Sequence, residues 1–352
     1  MIQKIKVLIV DDSAFMRKSI SILLESDPDI EVAGFGRDGE EGYELAKKLK
    51  PDIITLDIEM PRMDGLTALK KIMDDCPTSV IMVSSLTTEG AESTIKALEL
   101  GAVDFIPKEM SFVSVNIVKI KEDLIRKVKT IARRRVFRSF SSFRSLTAKS
   151  TGTPQTDLGK LPKIPYRALA LGISTGGPLS LQKVIPNLSG DIKFPIFIVQ
   201  HMPPKFTKSL AERLNNMSKL KVKEAEEGDK IEGGVVYIAP GGFHMKLRKK
   251  GFDSYINITE DPSTTLHRPS VDVMMDSVVE VYGKFTLGVI MTGMGKDGLE
   301  GIRKLKQLGG FCMAQNEESC VVYGMPKAIV DNNFADVIAS LEEIPNIINK
   351  VI

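Results

Sequence analysis

Short apolar runs alternate with amphipathic stretches along the first part of the chain: IKVLIV, EVAGF, PDIITL, SVIMVSS and AVDFIP. Runs this short, rich in Val and Ile and separated by helix-period segments, predict a parallel sheet covered by helices on both faces. A second series begins after residue 165, with RALALGI, FPIFIVQ, GVVYIA and TLGVIMT as strands and 178–187, 205–217 and 298–308 as helical stretches. A further helix is expected to start near Pro269, and PGGFHMKL reads as a hairpin arm. Between the two series, residues 133–165 are rich in Ser, Thr, Pro and Arg and lack a sustained apolar period, which is linker composition. The length of 352 residues also exceeds what one hydrophobic core usually serves. The expected fold class is α/β: two doubly wound parallel-sheet domains over 1–130 and 166–352, joined by a connector over 131–165.

Composition changes this picture little. The stated net charge of +3 divides as −5 over residues 1–132, +7 over 133–165 and +1 over 166–352. The basic excess therefore lies in the connector, and the second domain lacks the basic face expected of a nucleic-acid binder. No apolar run approaches the ~20 residues of a membrane helix, and MIQKIKVLIVDD is too short and too acidic for a secretory signal, so a cytoplasmic location without membrane insertion is expected. Cys76, Cys312 and Cys320 form no CxxC pair, which argues against a disulfide framework or a zinc site.

Chemistry-bearing residues gather at the strand ends. Asp11 and Asp12 end the first run, Asp57 the third and Ser84 the fourth, while Lys108 follows the fifth. In doubly wound sheets functional groups collect beyond the carboxyl ends of the strands. Three carboxylates brought together repel unless a cation neutralises them, and an all-oxygen site suits Mg²⁺. An aspartate beside such a cation is able to accept a phosphoryl group, with the Ser84 hydroxyl and Lys108 ammonium at its oxygens.

In the second domain LGISTGGP puts Ser174 in a glycine-rich turn, open to two readings: a phosphate cradle or an exposed nucleophile. The turn lacks the Gly-Lys-Ser/Thr ending of a P-loop and the GxGxxG spacing, so the nucleophile is the stronger reading. His201 follows the second run, and Asp297 lies in GMGKDG after the last. If the strands are parallel neighbours, a hydroxyl, an imidazole and a carboxylate meet, as nucleophilic acyl transfer requires. The remaining histidines have plainer readings: His244 as a surface or hydrogen-bonding residue of the hairpin, His267 as the residue leading into a helix, or with Arg268 as lining of a cleft.

Two resemblances follow from these motifs. VDDS, LDIEMPRMDG, MVSS and FIPK resemble the receiver domain of bacterial response regulators over about residues 3–128. The resemblance implies phosphorylation of Asp57 by a histidine kinase, Mg²⁺ held by Asp11, Asp12, Asp57 and the backbone carbonyl of Glu59, Ser84 as switch hydroxyl and Lys108 as phosphate partner. Glu109 stands where many receivers carry a proline. GISTGGP, QHMPPKFTKSLAERLN, YIAPGGFHM, HRPSVDVMM and TGMGKDGLEG resemble the bacterial chemotaxis protein-glutamate methylesterases, the CheB family, from residue 166 to about 350.

This second resemblance implies Ser174 as nucleophile, His201 as general base and acid, Asp297 as the orienting carboxylate, and Thr175, Gly176 and Met294 lining the site, the Met294 amide serving as oxyanion donor. It implies hydrolysis of glutamate γ-methyl esters on chemoreceptors without a cofactor, deamidation of receptor glutamines, and a receiver that restrains the esterase until phosphorylated. Two other classes are weighed against it. A DNA-binding output domain would need a basic recognition helix, and an inactive scaffold would not need Ser174, His201 and Asp297 together.

Overall fold

The computed structural model describes residues 4–108, 121–132 and 164–350. The chain divides into two compact units, one within residues 1–153 and one within 154–352. Most of the expected connector, and Glu109, lie outside the described residues. Ile131 and Ala132, which the expected bounds of 131–165 put in the connector, close a helix and are buried in the core of the first unit. Among the described residues no helix is long and apolar enough to cross a membrane.

The first unit runs β1 (Ile5–Val10), α1 (Ala14–Glu25), β2 (Ile30–Gly36), α2 (Gly39–Leu49), β3 (Ile53–Asp57), α3 (Gly65–Asp75), β4 (Ser79–Ser85), α4 (Thr88–Glu99), β5 (Asp104–Lys108) and α5 (121–132). The strands form one parallel sheet in the order β2-β1-β3-β4-β5. Its central strands are covered on both faces, so Val7, Leu8, Ile9, Ile53, Ile54, Val80, Ile81 and Met82 are all buried and the runs read as continuous rather than alternating. Helices start where a side chain can accept an amide of the first turn: Ser13, Asp38, Asp64 and Thr87 cap α1 to α4.

The second unit contains β6 (Ala168–Ile173), α6 (Gly177–Val184), β7 (Ile196–Gln200), α7 (Phe206–Met217), β8 (Lys221–Glu224), β9 (Val235–Ile238), the hairpin β10 (His244–Lys250) and β11 (Asp253–Thr259), α8 (Val271–Tyr282), β12 (Thr286–Ile290), α9 (Leu299–Gln307), β13 (Phe311–Gln315), α10 (Met325–Asp331), β14 (Val337–Ala339) and α11 (Ile344–Lys350). Seven strands form a parallel sheet in the order β14-β13-β12-β6-β7-β9-β8. The hairpin stands apart from it, packing Met245, Leu247 and Ile256 into the same core as Met274, Met275 and Val278 of α8. The apolar runs identified β6, β7, β9 and β12. Strands β8, β13 and β14 are recruited at or near the sheet edges, where three to five residues suffice.

One close approach in the first unit constrains the end of β3. A Cβ at Gly65 would lie 1.9 Å from the carbonyl oxygen of Asp57, so only glycine lets α3 begin against that strand end. Gly65→Ala is expected to destabilise the first unit by about 1–3 kcal/mol, as overpacking does. Urea unfolding followed by a probe in that unit should show the lowered midpoint, and an unchanged midpoint would contradict the close approach.

Candidate functional site

The strand order 2-1-3 sets the carboxyl ends of β1 and β3 side by side where the direction of winding reverses, which is where a crevice opens. Asp11 and Asp12 follow β1 and Asp57 closes β3, with carboxylate oxygens of all three within 4.8 Å of one another. Asp11 and Asp57 are buried and Asp12 is exposed. From the end of β5, Lys108 Nζ reaches 2.6 Å from Asp57 Oδ2 and 3.3 Å from Asp11 Oδ2. One ammonium thus pairs with two of the three carboxylates. Burial pushes the Asp57 carboxyl up to about 6 despite Lys108, with Asp11 adding to the rise, and burial raises Asp11 as well.

The remaining groups complete this strand-end cluster. The Ser13 amide donates to Asp11 Oδ1 at 2.9 Å, and the Arg17 guanidinium donates to the Asp11 and Asp12 carbonyls at 2.7 and 3.0 Å. Asp11 Oδ2 is buried and, among the described residues, has no well-aligned hydrogen-bond donor, its close charged neighbour being Lys108 at 3.3 Å. A buried carboxylate oxygen without such a donor, beside oxygens of two further carboxylates, fits a hard divalent cation such as Mg²⁺. Ser84 is turned toward α4, its Oγ donating to the Gly90 carbonyl at 3.0 Å. The Glu59 amide points back to Asp57 Oδ1 at 3.4 Å.

In the second unit β12, β6 and β7 are adjacent and parallel. Their carboxyl ends carry Asp297, Ser174 and His201 respectively. His201 Nδ1 lies 3.1 Å from Ser174 Oγ, and its Nε2 lies 2.8 Å from Asp297 Oδ2. A carboxylate only accepts, so Nε2 carries the hydrogen and Nδ1 is left to accept from the hydroxyl. The serine is held by its backbone. Its amide donates to the Thr292 carbonyl at 2.9 Å, and its carbonyl accepts from the Gly177 amide at 2.7 Å and from Gln200 Nε2 at 3.0 Å. The turn after it passes through Gly176 at φ 75°, a left-handed conformation that favours glycine, and α6 starts there. Gln315 and Thr292 extend the support: Gln315 Oε1 accepts from the Thr292 amide at 2.8 Å, and Thr292 Oγ1 donates to the Thr175 carbonyl at 2.9 Å.

Asp297 is fixed by the N-terminus of α8. Its Oδ2 accepts from the Val271 amide at 2.7 Å as well as from His201, while its Oδ1 accepts from Ser270 Oγ and the Asp272 amide, each at 2.9 Å. Burial opposes the charge, yet the hydrogen bond from His201 together with these amides outweighs it, holding the carboxyl well below its usual range. The neighbouring Asp272 goes the other way. Burial, together with the charge of Asp297, pushes it up to about 6 although its Oδ1 accepts from the Gly301 amide at 2.9 Å.

Thr175, which follows Ser174, is buried and Met294, which follows Gly293 close to Ser174, is half-buried, and the Gly176 and Met294 amides donate to no acceptor among the described residues. His244 is not a surface residue: packing of the hairpin on α8 leaves it 1% exposed and hydrogen-bonded. His267 precedes α8, as expected, and also stacks on the His201 ring with centroids 4.1 Å apart. Sequence reading missed Ser270, Thr292 and Gln315. Only Ser270 left a signal, a serine directly after Pro269 at the start of a helical period. The three cysteines are free thiols.

The family model for the CheB methylesterase matches residues 169–348, and that for the response regulator receiver domain matches residues 7–116. A protein-glutamate methylesterase/protein-glutamine glutaminase of Oleidesulfovibrio alaskensis is 50% identical, with 99% of each chain covered. One of the same name from Pyrococcus horikoshii is 46% identical over 99% of this chain and 94% of its own. The crystal structure of the Thermotoga maritima CheB methylesterase catalytic domain is 43% identical with a TM-score of 0.52, covering 53% of this chain and 99% of that one.

The paired carboxylates generate a pH prediction. Because the Asp272 carboxyl is raised from 3.8 to about 6 in the folded protein, its contribution to stability is present below the unfolded value and lost as pH rises through about 6. Relative to the parent protein, Asp272→Asn should therefore gain stability between about pH 4 and pH 8. Urea midpoints of the second unit at the two pH values measure this. A difference that does not grow with pH would refute the shared-charge account.

Proposed function

The chain belongs to the CheB methylesterase family and carries a response regulator receiver domain ahead of its catalytic unit, and on that premise we propose that Ser174, His201 and Asp297 perform its reaction. The protein is a phosphorylation-regulated protein-glutamate methylesterase that hydrolyses glutamate γ-methyl esters on chemoreceptors and deamidates receptor glutamines. The observation that carries the residue assignment is the unbroken line of contacts from Ser174 Oγ through His201 to Asp297, at 3.1 and 2.8 Å.

In this reading Ser174 Oγ attacks the ester carbonyl while His201 Nδ1 takes its proton. Asp297 keeps the other hydrogen on Nε2 and balances the imidazolium that forms. The Gly176 and Met294 amides receive the developing oxyanion, one well-placed donor typically contributing ~3–4 kcal/mol. His201 then protonates the departing methoxide, which leaves as methanol, or ammonia when the substrate is glutamine. Water, deprotonated by His201, attacks the acyl-serine, and the proton returns to Ser174 as glutamate is released. No cofactor enters these steps.

For the receiver, Asp57 is the proposed phosphoacceptor. Asp11, Asp12, Asp57 and the Glu59 carbonyl would hold Mg²⁺, which when bound neutralises the carboxylates and the phosphoryl oxygens. An Asp57 carboxylate oxygen bonds to phosphorus as the bond to the kinase histidine breaks, and Lys108 pairs with the new phosphoryl oxygens. Ser84 reaches them only by leaving the Gly90 carbonyl, which couples phosphorylation to the first turn of α4. Release of restraint on the esterase is the proposed outcome, with the cytoplasmic kinase and receptors of chemotaxis as partners.

Ser174→Ala should abolish methanol release from methylated receptor membranes while Asp57 still takes up phosphate from a small phosphodonor. Full esterase activity in this variant would overturn the nucleophile assignment. Labelling of Asp57 should stop in excess chelator and in Asp57→Asn, and stimulation of methanol release by phosphodonor should stop with it. Labelling that survives chelation would contradict the metal site.

A further inference from the structure

His244 opens β10 with its side chain buried, outside the line of contacts from Ser174 to Asp297. Its Nδ1 lies 3.2 Å from the backbone nitrogen of Ser270. An amide only donates, so Nδ1 is the acceptor and the ring hydrogen is on Nε2. That Nε2 faces the Pro262 carbonyl at 3.2 Å and Thr265 Oγ1 at 3.2 Å. Burial, with Arg268 and Lys246 in support, holds the imidazole below its ordinary range against the opposing effects of the Pro262 carbonyl and Asp297, which keeps Nδ1 free to accept.

One rigid ring thereby ties both ends of the segment 262–270. The same segment is held by Arg268 to Glu260 at 2.9 Å, and by the Gly242 amide donating to the Arg268 carbonyl at 3.1 Å. It bears on the active site twice. His267 stacks on His201 at 4.1 Å with the rings inclined by 21°, and Ser270 donates to Asp297 Oδ1 at 2.9 Å. A segment with so little regular structure would otherwise leave both contacts loose.

We propose that His244 is a positioning residue for the esterase reaction: its neutral imidazole accepts the Ser270 amide hydrogen, and so aligns Ser270 on Asp297 and His267 on His201. The inference rests on Ser174, His201 and Asp297 acting as proposed above. An imidazole presents an acceptor and a donor on opposite edges of one ring, which an apolar residue of similar volume does not. Filling the core and positioning the segment are therefore separable. Asn places an acceptor where Nδ1 stands, Gln extends its amide toward the Nε2 side, and Leu offers neither.

The test measures kcat and KM for methanol release from methylated receptor membranes in the full-length protein, comparing His244→Asn, His244→Gln and His244→Leu with the parent and with Ser174→Ala. Urea midpoints report folding in parallel. In His244→Leu, kcat should fall about 10- to 100-fold with KM little changed, the scale of a small misalignment of reacting groups. His244→Asn should recover most of that loss and exceed His244→Gln. A parental kcat in the folded Leu variant, or a loss confined to KM, would overturn the proposal. If the Leu variant does not fold, the comparison of Asn with Gln decides, and equal kcat values overturn it. Methanol release surviving in Ser174→Ala would instead remove the triad on which the inference rests.

Discussion

The catalytic unit depends on one largely buried negative charge being fully received. Asp297 has four hydrogen-bond donors, three of them from the N-terminus of α8, where unpaired amides and the helix dipole favour an anion. Because those amides are fixed by the helix, the carboxylate has one orientation, and the His201 ring that donates to it inherits that orientation. Helix and carboxylate complete each other: Asp297 satisfies the amides of Val271 and Asp272, and the helix removes the cost of burying Asp297. The price appears on Asp272, which shares the neighbourhood and is driven toward its neutral form.

The first unit applies the same topological rule with the opposite electrostatic outcome. There, too, carboxylates project from adjacent parallel strands, but among the described residues a helix N-terminus gives them only one amide, that of Ser13 to Asp11. Asp57 and Asp11 are buried with Lys108 as their cation, and both carboxyls are raised rather than lowered. A site left short of positive charge suits a divalent cation and a phosphoryl group, whereas a site whose charge is satisfied suits repeated proton transfer. Two α/β sheets in one chain thus support different chemistry, according to what stands opposite the carboxylate.

Much of the architecture was legible in the sequence because a strand covered on both faces must be apolar throughout. The runs that became β1, β3, β4, β6, β7 and β12 could bury both faces only inside a parallel sheet, and their polar terminal residues then had to lie at the same edge. Asp11, Asp57, Ser174 and His201 are visible by that rule alone. The roles proposed for them were already open from residue type and position, and the resemblance of the flanking motifs to the receiver and methylesterase families assigned them residue by residue. Strands β8, β13 and β14 were not read from the sequence: KVKE alternates with lysines, VIA is three residues long, and FCMAQ is a short run closed by a polar residue.

Tertiary structure alone decided which polar groups meet across sequence distance. Nothing in the spacing of His201 and His267 predicts that their rings stack, and nothing in the hairpin pattern around His244 predicts that it is buried against Ser270. Thr292 and Gln315 are likewise ordinary residues until β12 pairs with β6 and β13, which brings Thr292 to the backbone of Ser174 and Thr175 and Gln315 to the Thr292 amide. Periodicity records whether a side chain faces the core, because burial acts on every residue of an element. It does not record hydrogen-bond partners, because each such bond is made by one pair of atoms whose meeting depends on how separate elements pack.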